Sequence, residues 1–419
     1  MQFGINTLDD VNVQNKTVLC RIDINQPVDK EKNQLKSTNR IEACIPTLKE
    51  LLDKKAKLVL LAHQGSDIEY KNFYTTYPHS IVLSRLLGQE VKFIEDVCGP
   101  AALETIKNLQ PGEVLLLDNV RFVSEEQTLF EVKLNLTHEE QAKTLLVRKL
   151  APLADVYACD AFAAAHRDQP SLCGFEQLLP SAMGRLFEKE YCVISELMEA
   201  PKRPCTFVLG GAKVSDAFLM MDSVLRQAVA DKVIVGGLVG NIVLAAAGYD
   251  IGEGSLAFIK KANYETYIDA AKIIYEKYKD HIVLPTDLAW VENGVRVEGK
   301  LGEVAADATC VDIGHDSSAL FANVIMESQT VFVNGPMGIF EQDITEYGTK
   351  TIWAALGETQ ATTVVGGGDS ITATEKYELK EQISYICTGG GALIRFLTGD
   401  ELPVIKALRH ATKKFGTGE

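Results

Sequence analysis

Short continuous apolar runs recur along the chain, each followed by a stretch in which apolar residues return every three or four positions. A continuous apolar run is a strand buried on both faces, and the second spacing is that of an amphipathic helix. In the first half this pattern predicts strands at TVLCRIDIN, KLVLLAH, EVKFIED, EVLLLDNVRF and DVYACDAF, with helical stretches such as IPTLKELLDKK and SIVLSRLLG between them. In the second half it predicts strands at PCTFVLGG, DKVIVGG, HIVLPTD, TVFVNGP, TTVVGGGD and YICTGG. Such alternation gives parallel sheets covered by helices, so the expected fold is α/β, with two three-layer domains. Between the two sets, SAMGRLFEKEYCVISELMEAPKRP has helical spacing and a proline stop at Pro201 and Pro204. It predicts an interdomain helix over 183–199, leaving a first domain at 1–182 and a second at 200–402.

One segment, Val233–Tyr249, is apolar enough to suggest a membrane span, but it is short and broken by glycines and Asn241. A buried strand, a glycine turn and an apolar helix account for it better. Composition adds exclusions. The 419 residues carry a formal net charge of −15, which argues against a nucleic-acid surface or an anionic membrane as partner. Any anionic ligand must therefore be held by a local patch. Nine scattered cysteines without a CxxC pair read as reduced thiols, and the acidic amino terminus lacks an apolar signal core; both predict a cytoplasmic protein.

In open parallel sheets ligands gather beyond the carboxyl ends of the strands, and the two halves end their strands differently. The first ends in polar and basic residues: Arg21, Asp23 and Asn25, then His63, Asn119 with Arg121, and Asp160 with His166 and Arg167. Guanidinium forks suit bidentate capture of carboxylate and phosphate; Arg21, Arg40, Arg121 and Arg167, taken singly, each read first as a surface residue or a structural ion pair, and it is their recurrence beyond strand ends that points to a ligand. The second half ends in glycines: Gly210-Gly211-Ala212-Lys213, Gly236-Gly237, Asn334-Gly335-Pro336, Gly366–Gly368 and Gly389–Gly391. Glycines at strand-to-helix turns let backbone amides approach phosphate oxygens, so several on one sheet edge point to a polyphosphate. Neither GxxxxGK[ST] nor GxGxxG is spelled at these turns. Lys213 is placed to reach a phosphoryl group. Asp369 suits Mg²⁺ through one carboxylate plus phosphate oxygens, and equally suits a helix N-cap.

RIDINQP, NRIEACIPTLKELL, LDNVRFVSEE, LAPLADVYACDAFAAAHR, LGGAKVSD, NGPMGIFE, GTKTI, VVGGGDS and TGGGA follow in this order over nearly the whole chain. Together they resemble phosphoglycerate kinase, and LAHQG with FAAAHRDQPSLCGF is most similar to its archaeal branch. The resemblance implies two Rossmann-like domains, the first for the phosphoglycerate and the second for MgATP or MgADP, with the tail 403–419 folded back on the first. It implies reversible phosphoryl transfer between 1,3-bisphosphoglycerate and ADP on hinge closure about the interdomain helix, in a monomer or weak dimer. It assigns the acid substrate to Asp23, Asn25, Arg40, His63, Arg121, His166 and Arg167. It assigns the nucleotide to Gly211, Lys213, Gly237, Asn334, Pro336, Glu341, Gly366, Gly367, Gly368, Asp369 and Ser370, with Glu341 on the ribose. Catalytic roles fall to Arg40, Lys213, Gly367 and Gly390, and the metal to Asp369.

The chain departs from the family pattern at His63-Gln64-Gly65-Ser66-Asp67, where a phosphate-binding arginine is replaced by Ser66. Losing a bond to a charged partner costs about 1.5 to 3 kcal/mol, and Asp67 and Glu69 are expected to add repulsion. Either Lys71 compensates or the acid substrate differs. Ala217, His315 and Cys159 also depart, the last two as packing or loop changes. A kinase for another small carboxylate and a non-catalytic nucleotide-binding paralogue are the competing readings; a dehydrogenase lacks its GxGxxG.

Overall fold

The computed structural model describes residues 1–416. The chain divides into two compact units, Met1–Cys192 with the segment from Glu401 onward, and Val193–Asp400.

The first unit is built on a six-stranded parallel sheet in the order Val91–Ile94, Val114–Leu117, Lys57–Leu61, Thr17–Arg21, Val156–Cys159, Ser181–Met183. Every residue of Val114–Leu117 is buried, so both faces of the sheet are covered and the strand has no polar alternation. Ile41, Cys44, Leu48 and Leu51 of the helix Asn39–Asp53 share one core with Val18, Cys20, Leu58 and Leu60. The chain reverses its direction of travel across the sheet between Thr17–Arg21 and Val156–Cys159, which creates a crevice beyond their carboxyl ends.

The expected interdomain helix runs over Arg185–Glu199, and Ser181–Met183, read as its lead-in, instead forms the sixth strand, paired with Tyr157–Cys159. Three residues are too few to show a period. The Leu186 and Phe187 N–H groups donate to Asp160 Oδ1 at 3.0 and 3.3 Å, which satisfies two of the unpaired donors at a helix start. Arg185 is held by Asp9, Glu50 and Glu188 at 2.6 to 2.9 Å. The division between the units falls inside this helix. The last helix, Pro403–Phe415, belongs to the first unit: Thr412 Oγ1 accepts the Asn6 N–H at 3.0 Å and Lys414 Nζ donates to the Gln177 carbonyl at 2.8 Å.

The second unit carries another six-stranded parallel sheet, in the order Ile282–Val283, Lys232–Val235, Cys205–Leu209, Thr330–Asn334, Thr362–Gly366, Tyr385–Ile386. This is the doubly wound order, with its reversal between Cys205–Leu209 and Thr330–Asn334. Val208, Val333 and Val365 pack with Phe321, Ile325, Ile352 and Trp353, and the Trp353 indole N–H donates to Thr374 Oγ1 at 2.9 Å. The apolar segment from Val233 is the strand Lys232–Val235 followed by the helix Gly237–Ala246. Among the described residues no helix is long and apolar enough to cross a membrane.

A small antiparallel sheet, Asp287–Glu292, Val295–Lys300 and Cys310–Ile313, was not anticipated. HIVLPTD, read as one strand, supplies only Ile282–Val283 to the main sheet, and its final Asp287 opens this hairpin instead. The turn is Asn293-Gly294, with φ of 51° and 77°, the left-handed pair that matches strand twist.

Candidate active site

In the first unit the polar strand ends converge. Arg40 Nη1 donates to Asp23 Oδ2 at 2.7 Å, the Asn25 N–H donates to Asp23 Oδ1 at 3.1 Å, and Asn25 Oδ1 accepts the Gly65 N–H at 2.8 Å. Asp23 thus orients one arginine, and Asn25 ties its loop to the loop after the Lys57–Leu61 strand. Arg21, counted in the sequence among the ligand arginines, is fully buried. Its Nε donates to Ser171 Oγ at 3.1 Å, its Nη1 to the Ile22 carbonyl at 2.7 Å, and its Nη2 meets His63 Nδ1 at 3.1 Å. A guanidinium only donates, so His63 Nδ1 is the acceptor and Nε2 carries the ring hydrogen. Ser171 is fixed in turn by buried Glu126, at 2.6 Å from both its N–H and its hydroxyl.

Burial, followed by the charges of Arg21, Arg121, Arg167 and Arg40, holds the His63 pKa well below 6.5. The charges of the four arginines disfavour the imidazolium, so the ring is neutral at pH 7 and accepts from Arg21 at Nδ1. Arg167 is half-buried, 3.7 Å from Glu131, and neighbouring His166 is half-buried as well.

Arg121 is 3% exposed, and its Nε and Nη2 have no partner. Its Nη1 donates to the Gly65 carbonyl. Burial and then the charge of Arg167 pull its pKa down to about 10. A buried guanidinium with free donors is costly in isolation and suits an anion that completes it. Asp67 stands beside Arg121. Its carboxylate accepts the Thr128 N–H at 2.6 Å and the Thr128 hydroxyl at 2.9 Å, at the start of the helix Thr128–Leu134. These bonds orient the carboxylate but leave its charge, which stands 3.6 Å from Arg121 Nη1. Glu69 donates its N–H to Ser66 Oγ at 3.2 Å, and the Ser66 N–H donates to the Lys71 carbonyl at 2.8 Å.

In the second unit the glycine loops pack against one another. A Cβ on Gly210 would lie 2.2 Å from the Pro336 carbonyl, and one on Gly335 would lie 2.2 Å from the Gly210 carbonyl. The Gly211 N–H donates to the Pro336 carbonyl and the Gly237 N–H to the Met337 carbonyl, both at 2.7 Å. These two amides are therefore unavailable to a phosphate, contrary to the expectation for glycine turns; here the glycines permit close approach of loops. Ser370 is also turned inward, with Oγ accepting the Gly335 N–H at 2.7 Å. Gly366 lies against Leu393 of the helix Gly390–Leu397, whose open start follows Gly389.

What remains open is the start of the helix Gly368–Lys376, whose first N–H groups have no intrahelical partner. Gly210–Lys213, Asn334, Gly335 and Gly367–Asp369 line a narrow crevice there. Lys213 and Asp369 are exposed, and neither side chain has a hydrogen bond or ion pair among the described residues. Gly211, Ala212 and Asp369 continue from this crevice into an open-mouthed cavity of about 250 Å³. Its walls include Leu238, Phe258, Val311, Ile339 and Phe340, with Gly237, Pro336 and Glu341 beside them. An apolar slot opening onto a crevice with a lysine and an open helix start suits a planar base with a polyphosphate tail. The apolar wall escaped the sequence reading because its members come from four separate segments. Gly389–Gly391 line neither space.

The chain matches the profile of the family described as phosphoglycerate kinase over residues 8–400. It is 40% identical over 412 residues to phosphoglycerate kinase of Methanothermus fervidus, covering 98% of each chain. It is 41% identical over 413 residues to that of Thermococcus kodakarensis, covering 97% of this chain and 98% of the relative. Among solved structures, phosphoglycerate kinase from Pyrococcus horikoshii superposes with a TM-score of 0.87 at 39% identity, over 98% of this chain and all of that one. The enzyme from Coxiella burnetii gives 0.82 at 29% identity, over 96% and 98%.

Proposed function

The chain belongs to the phosphoglycerate kinase family, and from that membership we propose that it transfers a phosphoryl group reversibly between 1,3-bisphosphoglycerate and ADP, yielding 3-phosphoglycerate and ATP. The observation that carries the reading is the unpartnered Lys213 ammonium and Asp369 carboxylate around an open helix start, at the mouth of an apolar slot.

In the direction that consumes ATP the acceptor is a carboxylate, ionised at pH 7 because carboxyl pKa values lie near 4. No general base is required. What the reaction needs is alignment of the two substrates and neutralisation of the charge on the equatorial oxygens. The first unit is the acid-substrate domain: Arg121, Arg167 and Arg40 hold the acid, and His63 donates from Nε2. Asp23 and Asn25 act through Arg40 and the Gly65 loop, and His166 adds a polar neighbour. The second unit is the nucleotide domain: the base lies along Gly237 and Pro336, Glu341 takes the ribose hydroxyls, and the amides of Gly367–Asp369 take phosphate oxygens. Gly211, Asn334, Gly366 and Ser370 hold the loops that shape the crevice. Lys213, Arg40 and the amide of Gly390 stabilise the phosphoryl group in transit, with Arg185–Glu199 as the hinge.

Asp369 fits the magnesium ion expected with ATP, as an exposed carboxylate with free oxygens beside the phosphate crevice. When bound, Mg²⁺ supplies charge neutralisation to the phosphates. Nine free cysteines fit a reducing, cytoplasmic setting.

Steady-state assays with ATP and a panel of phosphorylated small acids test the proposal. Saturable turnover with 3-phosphoglycerate supports it; negligible turnover with that acid but activity with another would transfer the reading to a different carboxylate, for which Ser66 is the structural reason. ATP binding without turnover on any acid would leave a binding protein.

A further inference from the structure

Beside the basic patch, just past Arg167, the first unit gathers a second set of chemically active side chains that phosphoryl transfer does not use. His138 Nε2 lies 3.3 Å from Asp168 Oδ1, and Cys173 Sγ completes a trio whose ligand atoms all lie within 4.8 Å of one another. They come from two segments, the short helix His138–Gln141 and the stretch that follows Arg167. Gln141 Nε2 donates to Asp168 Oδ1 at 2.5 Å and the Asp168 N–H donates to Glu131 Oε1 at 2.9 Å, so the carboxylate is oriented from behind. Such outer partners are what metal ligands characteristically have. His138 and Asp168 also line an open space of about 750 Å³ with Glu139, Lys406 and His410. His410 Nε2 is buried there without a hydrogen-bond partner.

We propose that His138, Asp168 and Cys173 form a binding site for a divalent transition metal of the zinc class, with His410 or water in the fourth position. One nitrogen, one oxygen and one sulfur donor match Zn²⁺ or Co²⁺ and mismatch Mg²⁺ and Ca²⁺, which take oxygen ligands. Tetrahedral ligands at zinc stand roughly 3.3 to 3.8 Å apart, so the His138–Asp168 pair already has that spacing, and Cys173 Sγ lies within 4.8 Å of both. The ion takes the place of the thiol proton: an S–metal bond forms, the S–H bond breaks, and the proton leaves to solvent. Bound metal would join the segment beginning at Arg167 to the helix His138–Gln141.

The test uses the untagged full chain, stripped with a chelator and titrated with Co²⁺ and then Zn²⁺, without reference to turnover. One Co²⁺ per chain is expected, with a thiolate-to-metal charge-transfer band that Zn²⁺ abolishes. Cys173→Ser should remove the band, and both it and His138→Gln should weaken affinity at least tenfold while the metal-free melting temperature stays near that of the unmodified chain. A chain that binds no stoichiometric Co²⁺, or that binds it with no charge-transfer band, overturns the proposal. Equal affinity in Cys173→Ser does so too. Because the readout is metal binding, failure here is distinct from failure of the kinase reading.

Discussion

Arg121 and Asp67 stand 3.6 Å apart, yet the carboxylate is committed to the N–H and hydroxyl of Thr128, and the guanidinium keeps two nitrogens free. Asp67 therefore balances part of the arginine's charge without occupying its donors. Asp67→Asn should leave Arg121 more attractive to an anion and lower the KM for the acid substrate about two- to fivefold, the scale of a weak ion pair. Stability should fall by about 0.5 to 2 kcal/mol through the weakened helix start. A higher KM would mean that Asp67 is needed to hold Arg121 in place.

Ser66→Arg restores a guanidinium near the partly unpaired Arg121. Acid affinity should rise about tenfold or more, given about 1.5 to 3 kcal/mol for a bond to a charged group. Unchanged affinity by titration calorimetry would show that the pocket is complete without it.

The Lys213 side chain has no hydrogen bond or ion pair among the described residues, so its removal disturbs little of the fold. Lys213→Ala should lower kcat by about 10² to 10³, the usual cost of one charge-stabilising donor, while nucleotide KM changes far less. An unchanged kcat would remove Lys213 from the chemistry.

Gly367 has φ of +87°, and a Cβ there would lie 2.3 Å from Asn334 Oδ1. Gly367→Ala combines a left-handed backbone with a clash against the half-buried Asn334 side chain, so a loss of about 1 to 3 kcal/mol is expected in denaturant unfolding. A loss below the measurement error would show that the Asn334 side chain simply swings away.

Asp160, fully buried beneath the start of Arg185–Glu199, has its pKa raised by burial from 3.8 to about 7. Between those values the folded state holds a proton that the unfolded chain has released. The stabilisation associated with this group is complete below about pH 4 and declines as pH rises toward 7. Asp160→Asn keeps the Oδ1 acceptor for Leu186 and Phe187 and removes the titration. The variant should gain on the unmodified chain as pH rises from 5 to 8 in thermal melts; a constant difference across that range would refute the assignment.

The parallel strands were legible because burial on both faces leaves no polar alternation, as in Val114–Leu117 and Thr362–Gly366. The antiparallel hairpin carried its own signal, Asn293-Gly294 between alternating residues, which departs from the helix-and-parallel-strand alternation of the rest of the chain. Ser181–Met183 had no signal of its own, since its strand character comes from pairing with Tyr157–Cys159. At the site, residue types pointed to the right segments but not to individual duties. Arg21 reads like Arg121 in sequence, and both are buried; only their hydrogen-bond partners show that one arginine serves His63 and the other has donors to offer. Glycine turns likewise cannot reveal that the Gly211 and Gly237 amides are claimed by neighbouring carbonyls.

Asn6 and Thr412 are 406 positions apart and share a hydrogen bond. During synthesis the ribosome must therefore deliver the whole of the second unit before the first can acquire its closing helix. Val404, Ile405, Leu408 and Ala411, buried in the finished protein, leave their counterpart surface uncovered for that interval. The unit that begins folding first is thus the last to be completed, and a chain truncated before Pro403 would release it with an unsealed apolar face.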